Sequence, residues 1–235
     1  MSENATRREA VLGRIRASLK VDPDAMDRLE TVADRLEDHK RNLVPERAVG
    51  TTAKNVKQFC QMMEAVNGTV EHVKSPSEIP GAISKYLRNH NLPQMIRRGS
   101  DPALEKLPWS KARSLQVSVG IARKEDEVAV SRAFAAVAET GTLVMTSGAD
   151  NPTSLNFLPE NHIVVVESGR VAGSYEDAWD VVRAVYGDGE MPRTVNLISG
   201  PSRTGDIEQK IELGAHGPRR LHVIVLNRPA GSRTR

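Results

Sequence analysis

The stretch "TVEHVKSPSEIPGAISKYLRNHNLPQMIRR", residues 69–98, decides the fold class because it places one helix between two strands. "TVEHV" and "QMIRR" have the length and the apolar content of short strands, whereas residues 77–89 have the pattern of a helix. A helix between two such strands is the repeating unit of a sheet whose strands run parallel. The stretch therefore predicts an α/β fold.

The same alternation continues on both sides of this stretch. Towards the N-terminus, apolar side chains at helical spacing over residues 56–66 predict a helix that ends at an Asn-Gly pair. Towards the C-terminus, a capping box of Ser174 and Asp177 predicts the start of a helix over residues 175–185. Further predicted strands are "LQVSVG", "FAAVA", "TLVMTS", "HIVVVES", "TVNLIS" and "LHVIVL". The whole pattern predicts a mostly parallel, doubly wound sheet.

The N-terminal part of the chain has a different pattern. Over residues 9–43 the apolar side chains fall three or four apart among charged ones, and "VDPD" interrupts the stripe once, which predicts two helices. The stretch "NLVPERAVG" is the predicted linker, so residues 1–48 form a helical arm and residues 49–235 the α/β domain. Such a stripe has to be covered. It packs on its own domain or on another subunit, which would make the protein a homo-oligomer through the arm.

The charge balance and the aromatic content argue against a nucleic-acid partner. The chain of 235 residues has 33 Lys and Arg against 30 Asp and Glu, a formal net charge of only +3. Aromatic residues make up 3% of the chain, too few for a base-stacking surface, and no nucleic-acid module is recognisable.

Cysteine and histidine usage limits the cofactors that the chain can hold. Cys60 is the single cysteine, so the chain has no internal disulfide and lacks the roughly four thiolates of an iron–sulfur cluster. The six histidines contain no H-x-x-x-H pair, so we predict no built-in metal site. No apolar run resembles a signal peptide or a membrane span of about 20 residues. We expect a cytoplasmic protein.

The loop "SGPSRTGD", residues 199–206, is the first candidate site. Its glycines have P-loop spacing, but the lysine and hydroxyl residue that a nucleoside triphosphate requires are missing. A helix starting near residue 206, together with one guanidinium, could instead bind a carboxylate or a phosphate. The alternative is an ordinary turn in which Thr204 or Asp206 caps a helix. The candidate anion-binding residues of this loop are Gly200, Ser202, Arg203, Thr204 and Asp206.

Two further stretches carry titratable side chains. In "AETGT", Glu139 lies at a strand end beside Thr140, Gly141 and Thr142, where a carboxylate can act as base, nucleophile or ligand, or can simply accept bonds from a turn. His216 in "GAHGP" is presented by a tight turn, as a proton carrier, an anion contact or plain polar surface. We take Glu139 and His216 as candidate catalytic residues and the other three as substrate-binding candidates.

Several long motifs in fixed order resemble the LUD-domain family, and within it the lactate utilization protein C branch. They are "VLGRIRASL", "AETGTLV", "LPENHIVVVESGRV", "SGPSRTGDIE" and "GAHGPRRLHVIVL". The resemblance implies the α/β fold of ribose-5-phosphate isomerases, glucosamine-phosphate deaminases and CoA transferases (NagB/RpiA/CoA transferase-like). It also implies a non-redox subunit in the oxidation of L-lactate to pyruvate, beside two iron–sulfur proteins of the LutA and LutB kind that hold the clusters.

A second function stays open from the residues. In CoA transferases, a glutamate at a strand end is the nucleophile. Because Glu139 is similar in setting, the chain could be a stand-alone enzyme acting on an acyl-CoA or a phosphorylated metabolite. The sequence alone leaves open whether the chain is an enzyme. If the three stretches form one cleft at the strand ends, we expect Glu139, Arg203 and His216 to lie close together.

Overall fold

The computed structural model describes residues 3–20, 22, 25–187, 189–207 and 210–227. By its internal contacts the chain forms two units, residues 1–42 and 43–235.

The first unit contains the two predicted arm helices, α1 (Glu3–Leu19) and α2 (Met26–Asp38). No residue of α2 is buried. Most apolar side chains of the predicted stripe are exposed: Val11, Ile15, Leu19, Met26, Leu29, Val32 and Leu36. Within the described residues, no helix is both long enough and apolar enough to cross a membrane.

The second unit alternates strands and helices as predicted. Its elements in chain order are α3 (Thr52–Ala65), β1 (Thr69–Val73), α4 (Ile79–Asn89), β2 (Met95–Arg98), α5 (Pro102–Glu105), β3 (Gln116–Val119), β4 (Val128–Arg132), β5 (Ala135–Val137), β6 (Thr142–Thr146), α6 (Ser154–Phe157), β7 (Asn161–Glu167), β8 (Val171–Ala172), α7 (Tyr175–Tyr186), β9 (Val195–Ile198), β10 (Arg203–Ile207), β11 (Lys210–Leu213) and β12 (Arg220–Leu226). The capping box at the start of α7 is confirmed, since Ser174 Oγ accepts from Asp177 N and Asp177 Oδ2 from Ser174 N.

Six strands form an all-parallel sheet in the order β1-β12-β7-β4-β2-β3, which confirms the predicted α/β class. All seven residues of β7 are buried. This agrees with the rule that the central strands of a parallel sheet are covered on both faces. The central strand β4, "VAVSR", was not among the predicted strands.

Helices and a second sheet cover the two faces of the parallel sheet. On one face, Ile83 and Leu87 of α4 pack in one cluster with Ile163 and Ile224. On the other face, Phe59 and Met63 of α3 share a cluster with Val164 of β7, with Val223 of β12 and with Leu143 of β6. The cavity described below lies on this second face. Its lining includes His162 of β7, and the next residue of that strand, Ile163, faces α4, because successive side chains of a strand point to opposite faces.

The second sheet and one hairpin correct the predicted topology. The runs "FAAVA", "TLVMTS" and "TVNLIS" form β5, β6 and β9, which join β8 in a separate mixed sheet, with antiparallel pairs β5–β6 and β6–β9. The helix expected near residue 206 is absent from the described chain, where β10 instead pairs antiparallel with β11. The prediction of an anion site made of helix N–H groups is therefore wrong for this loop, because the backbone N–H groups of a paired strand donate to the neighbouring strand.

Candidate functional site

Two of the three predicted stretches meet around a cavity of about 260 Å³. The loop between β9 and β10 and the loop between β11 and β12 form its rim, since Ser202 N donates to Pro218 O at 2.8 Å and His216 N donates to Ser202 Oγ at 3.3 Å. Arg203 and His216 are both exposed and both line the cavity. The full lining is Asn156, Phe157, His162, Leu197, Ile198, Ser199, Gly200, Pro201, Ser202, Arg203, His216, Gly217, Pro218 and Leu221.

The cavity lies at the amino ends of two parallel strands. His162 and Leu221 are the second residues of β7 and β12, and they are partners in the register of the sheet. Open α/β sheets usually bind ligands outside the carboxyl ends of their strands. This cavity therefore occupies the opposite edge, where the second sheet supplies its outer wall through β9.

The rim loop is fixed to the end of α3. Gly200 has a φ of +86°, and a Cβ there would lie 2.7 Å from Val66 Cγ2, so the position excludes any side chain. Arg203 Nη2 donates to Val66 O at 2.8 Å, and its other N–H groups have no partner among the described residues. Thr204 is half-buried in β10. The backbone of Asp206 belongs to the same strand, and its side chain lies outside the described structure.

Two deeply buried polar side chains form the inner part of the lining. His162 and Asn156 are each only 1% exposed. Burial lowers the pKa of His162 to about 3, so the imidazole is neutral at physiological pH. His162 Nε2 lies 3.1 Å from Ser131 Oγ, but Nδ1 has no hydrogen-bond partner among the residues described, nor does either amide atom of Asn156.

The Glu139 turn lies apart from this cavity, whose described lining does not include Glu139. Glu139 is buried after β5, and its Oε1 accepts from Tyr175 N at 3.0 Å. Tyr175 is the first residue of α7, so the carboxylate satisfies one of the N–H groups that a helix start leaves unpaired and interacts favourably with the helix dipole. The expectation that Glu139, Arg203 and His216 share one cleft is met by Arg203 and His216 only.

A chain of hydroxyl groups connects the turn to the rim. Thr140 Oγ1 donates to Tyr175 Oη at 3.0 Å, and Thr142 Oγ1 lies 2.7 Å from Thr140 Oγ1 and 2.9 Å from Tyr175 Oη. Thr142 Oγ1 also lies 2.6 Å from the Oγ of Ser199, a cavity residue. The predicted substrate-binding threonines therefore hold the second sheet, α7 and the rim loop together.

Gly141 completes this turn for a steric reason. Its φ is +65°, and a Cβ would lie 2.6 Å from the backbone nitrogen of Met63 in α3. Glycine is thus required by both conformation and space.

Sequence reasoning missed His162 and Asn156. The signal for His162 was present, because this histidine opens the apolar run "HIVVVES", and apolar runs of that kind are typical of strands buried on both faces of a parallel sheet. Asn156 had no comparable signal, since it belongs to a four-residue helix.

The comparisons with known proteins agree on one family. The model of the family described as "LUD domain" matches residues 56–226. A lactate utilization protein C from Deinococcus radiodurans is 33% identical over 193 residues, covering 77% of this chain and 84% of that protein. The protein of the same name from Bacillus subtilis (strain 168) is 31% identical over 108 residues, 45% of each chain. The crystal structure of a DUF162 family protein from Deinococcus radiodurans covers 76% of this chain and 99% of its own, with a TM-score of 0.56 and 23% identity, and so supports the fold.

Proposed function

Because the chain belongs to the LUD-domain family, we propose that it serves lactate utilization as a non-redox subunit in the oxidation of L-lactate to pyruvate. One observation carries this proposal, the name of the Deinococcus radiodurans relative. The match covers 84% of the length of that protein. The proposed setting is the cytoplasm.

The electrons of lactate oxidation need an acceptor outside this chain. Its one cysteine cannot supply the roughly four thiolates of an iron–sulfur cluster. We assign the clusters to partner proteins of the LutA and LutB kind. The exposed apolar stripe of α1 and α2 is the surface we propose for association with such a partner or with a second copy of the chain.

The cavity between the rim loops is the proposed anion site of this subunit. Arg203 supplies a permanent positive charge at the rim, and His216 lines the same cavity. A cavity of about 260 Å³ is below the usual range of roughly 300–1,000 Å³ for drug-sized ligands, which favours a small metabolite over an acyl-CoA.

The stand-alone enzyme is the weaker alternative. It depended on Glu139 as nucleophile, and the Glu139 carboxylate is instead engaged by the start of α7. A carboxylate that accepts a helix N–H group in a buried turn is already stabilised there, which opposes attack on an acyl carbon.

The test of the subunit role is reconstitution. The chain is co-expressed with candidate iron–sulfur partners from neighbouring genes, recovered by pull-down, and assayed for lactate oxidation with each subunit omitted in turn. We expect the chain alone to be colourless and inactive, and the assembly to lose activity when the chain is left out. Full oxidation without this chain, or stoichiometric flavin or iron in the purified chain, would contradict the proposal.

A further inference from the structure

Two side chains that line the 260 Å³ cavity have buried polar atoms without partners among the described residues: Nδ1 of His162 and both amide atoms of Asn156. An unpaired buried polar group destabilises the folded state, so side chains of this kind are normally paired in a folded protein. Two such side chains in the lining of one cavity point to a molecule that pairs with them there.

These atoms define the chemistry of that molecule. Nδ1 of the neutral His162 imidazole is either a donor or an acceptor, depending on the tautomer, and the Asn156 amide offers both a donor and an acceptor. None of these groups carries charge, so this part of the cavity suits a hydroxyl or carbonyl group rather than a second anion.

The rim of the same cavity has the opposite character. Arg203 is exposed there and makes one hydrogen bond, to Val66 O, in the described structure. Its remaining N–H groups suit a carboxylate, which a guanidinium binds with two parallel hydrogen bonds.

We infer that the cavity binds a small carboxylate with a hydroxyl or keto oxygen on the adjacent carbon, and that Asn156 and His162 recognise that oxygen. The inference rests on the proposed function, because it gives the anion site of the subunit a substrate class. It assigns specificity to two residues at the amino edge of the sheet, apart from the Glu139 turn.

The experiment compares two ligands that differ only in this oxygen. Calorimetry with L-lactate and with propionate, on the purified full chain, measures how much the hydroxyl contributes. We expect the wild type to bind L-lactate at least tenfold more tightly, because a site built to pair with a hydroxyl leaves its own polar groups unpaired with the analogue. Pyruvate, which has a keto oxygen on the same carbon, should bind with an affinity close to that of L-lactate rather than to that of propionate.

Asn156→Leu is the decisive variant. It removes both unpaired amide atoms at nearly constant volume, so the ligand-free chain should unfold at the same temperature as the wild type or higher, while the preference for L-lactate disappears. His162→Phe should reduce the same preference. Asn55→Leu is the matched control, since Asn55 is also buried with an unpartnered Oδ1 in the described structure but does not line this cavity, and it should keep the preference.

Each result decides the inference. Equal affinities of the wild type for L-lactate and propionate, or loss of the preference in Asn55→Leu as strongly as in Asn156→Leu, would overturn it. A strong destabilisation by Asn156→Leu with the preference intact would also overturn it, as a purely structural asparagine behaves in that way. Failure of the subunit role is separately visible, because the reconstituted assay depends on the partners and calorimetry does not.

Discussion

The turn between β5 and β6 and the inner lining of the cavity both contain buried polar side chains, but those of the cavity keep polar atoms without a partner among the described residues. In the turn, Glu139 bonds to the start of α7, and Thr140 and Thr142 bond to Tyr175 and, through Thr142, to the rim loop. In the cavity, His162 and Asn156 keep unpaired atoms within the described residues.

The difference separates stability from binding. A polar cluster whose bonds are all made inside the protein has little left to offer a ligand, and it fixes the elements that carry it. Unpaired buried atoms cost stability in the free protein, and a ligand that pairs with them recovers that cost on binding. The "AETGT" motif, the more conspicuous of the two in the sequence, is thus the one whose side chains bond to other elements of the protein.

The neutrality of His162 gives the largest expected effect. Its pKa is about 3 in the fold against 6.5 for an ordinary histidine, and burial likewise lowers the pKa of His222 to about 4. The unfolded chain therefore binds more protons below pH 6.5, so stability should fall as the pH drops from 6.5 towards 4, by about 1.4 kcal/mol per pH unit for each histidine. Urea unfolding at several pH values checks this. His162→Gln should flatten the slope, and an unchanged slope would mean that His162 does not titrate as described.

Gly141→Ala should damage the turn severely. The added Cβ would lie 2.6 Å from Met63 N at a φ of +65°, so the turn has to move away from α3, and we expect a loss of about 2–4 kcal/mol in the free energy of unfolding. Gly81→Ala is the control, because a Cβ there meets nothing within 4 Å inside helix α4, and it should be neutral or stabilising by up to about 1 kcal/mol. Similar unfolding midpoints for the two variants would remove the steric account of the turn.

Arg203→Ala should act on binding. Loss of one charge-assisted hydrogen-bond pair should cost about 1.5–3 kcal/mol, roughly a tenfold to hundredfold loss in carboxylate affinity by calorimetry. Arg203→Lys should recover part of this, since an ammonium cannot make the planar two-pronged contact. Arg219→Ala is the matched control, because Arg219 is exposed near the same rim without lining the cavity. Equal losses in the two alanine variants would reduce the site to general positive charge.

Glu139→Gln distinguishes a capping carboxylate from a catalytic one. The amide oxygen can still accept from Tyr175 N, so only the charge at the start of α7 is lost, and we expect a destabilisation of about 0.5–1 kcal/mol with reconstituted lactate oxidation unchanged. Glu160→Gln, at an exposed position, should change neither quantity. A drop in oxidation of a hundredfold or more in Glu139→Gln would return Glu139 to the catalytic role expected from the sequence.

Removing residues 1–45 should have the smallest effect on the stability of the α/β domain. The arm forms a unit of its own, and its apolar side chains are exposed, so the remaining domain should unfold at nearly the same temperature. Analytical ultracentrifugation and the pull-down should instead show weaker self-association or partner binding. An insoluble domain, where the full chain is a monomer, would make the arm part of the core.

The elements were predictable from the sequence where hydrophobic pattern decides them. The two arm helices, the capped helix α7 and the buried strand β7 follow from spacing and end signals. The partition into two sheets was not predictable, because the short apolar runs of β5, β6 and β9 fit either sheet and only tertiary packing selects their partners.

The candidate site was predictable only in part. Glycine and charged residues in loops indicated the rim with Arg203 and His216, since turns of that composition bring polar side chains to the surface. The strand β10 was mistaken for a helix start because the same hydroxyl residues suit both. Whether the bonds of Glu139 and Asn156 are made is a matter of three-dimensional neighbours, and the sequence carries no such information.

The position of β12 has a consequence for how the chain folds. This strand follows every other described strand in chain order, yet it inserts between β1 and β7 and is the neighbour with which β1 pairs in the parallel sheet. During synthesis, β1 therefore remains unpaired until the residues of β12, 220–226, have left the ribosome. Such non-local pairing slows folding and leaves apolar surface open to aggregation in the meantime. A chain truncated just before β12 would keep most of its residues and still leave β1 outside the sheet.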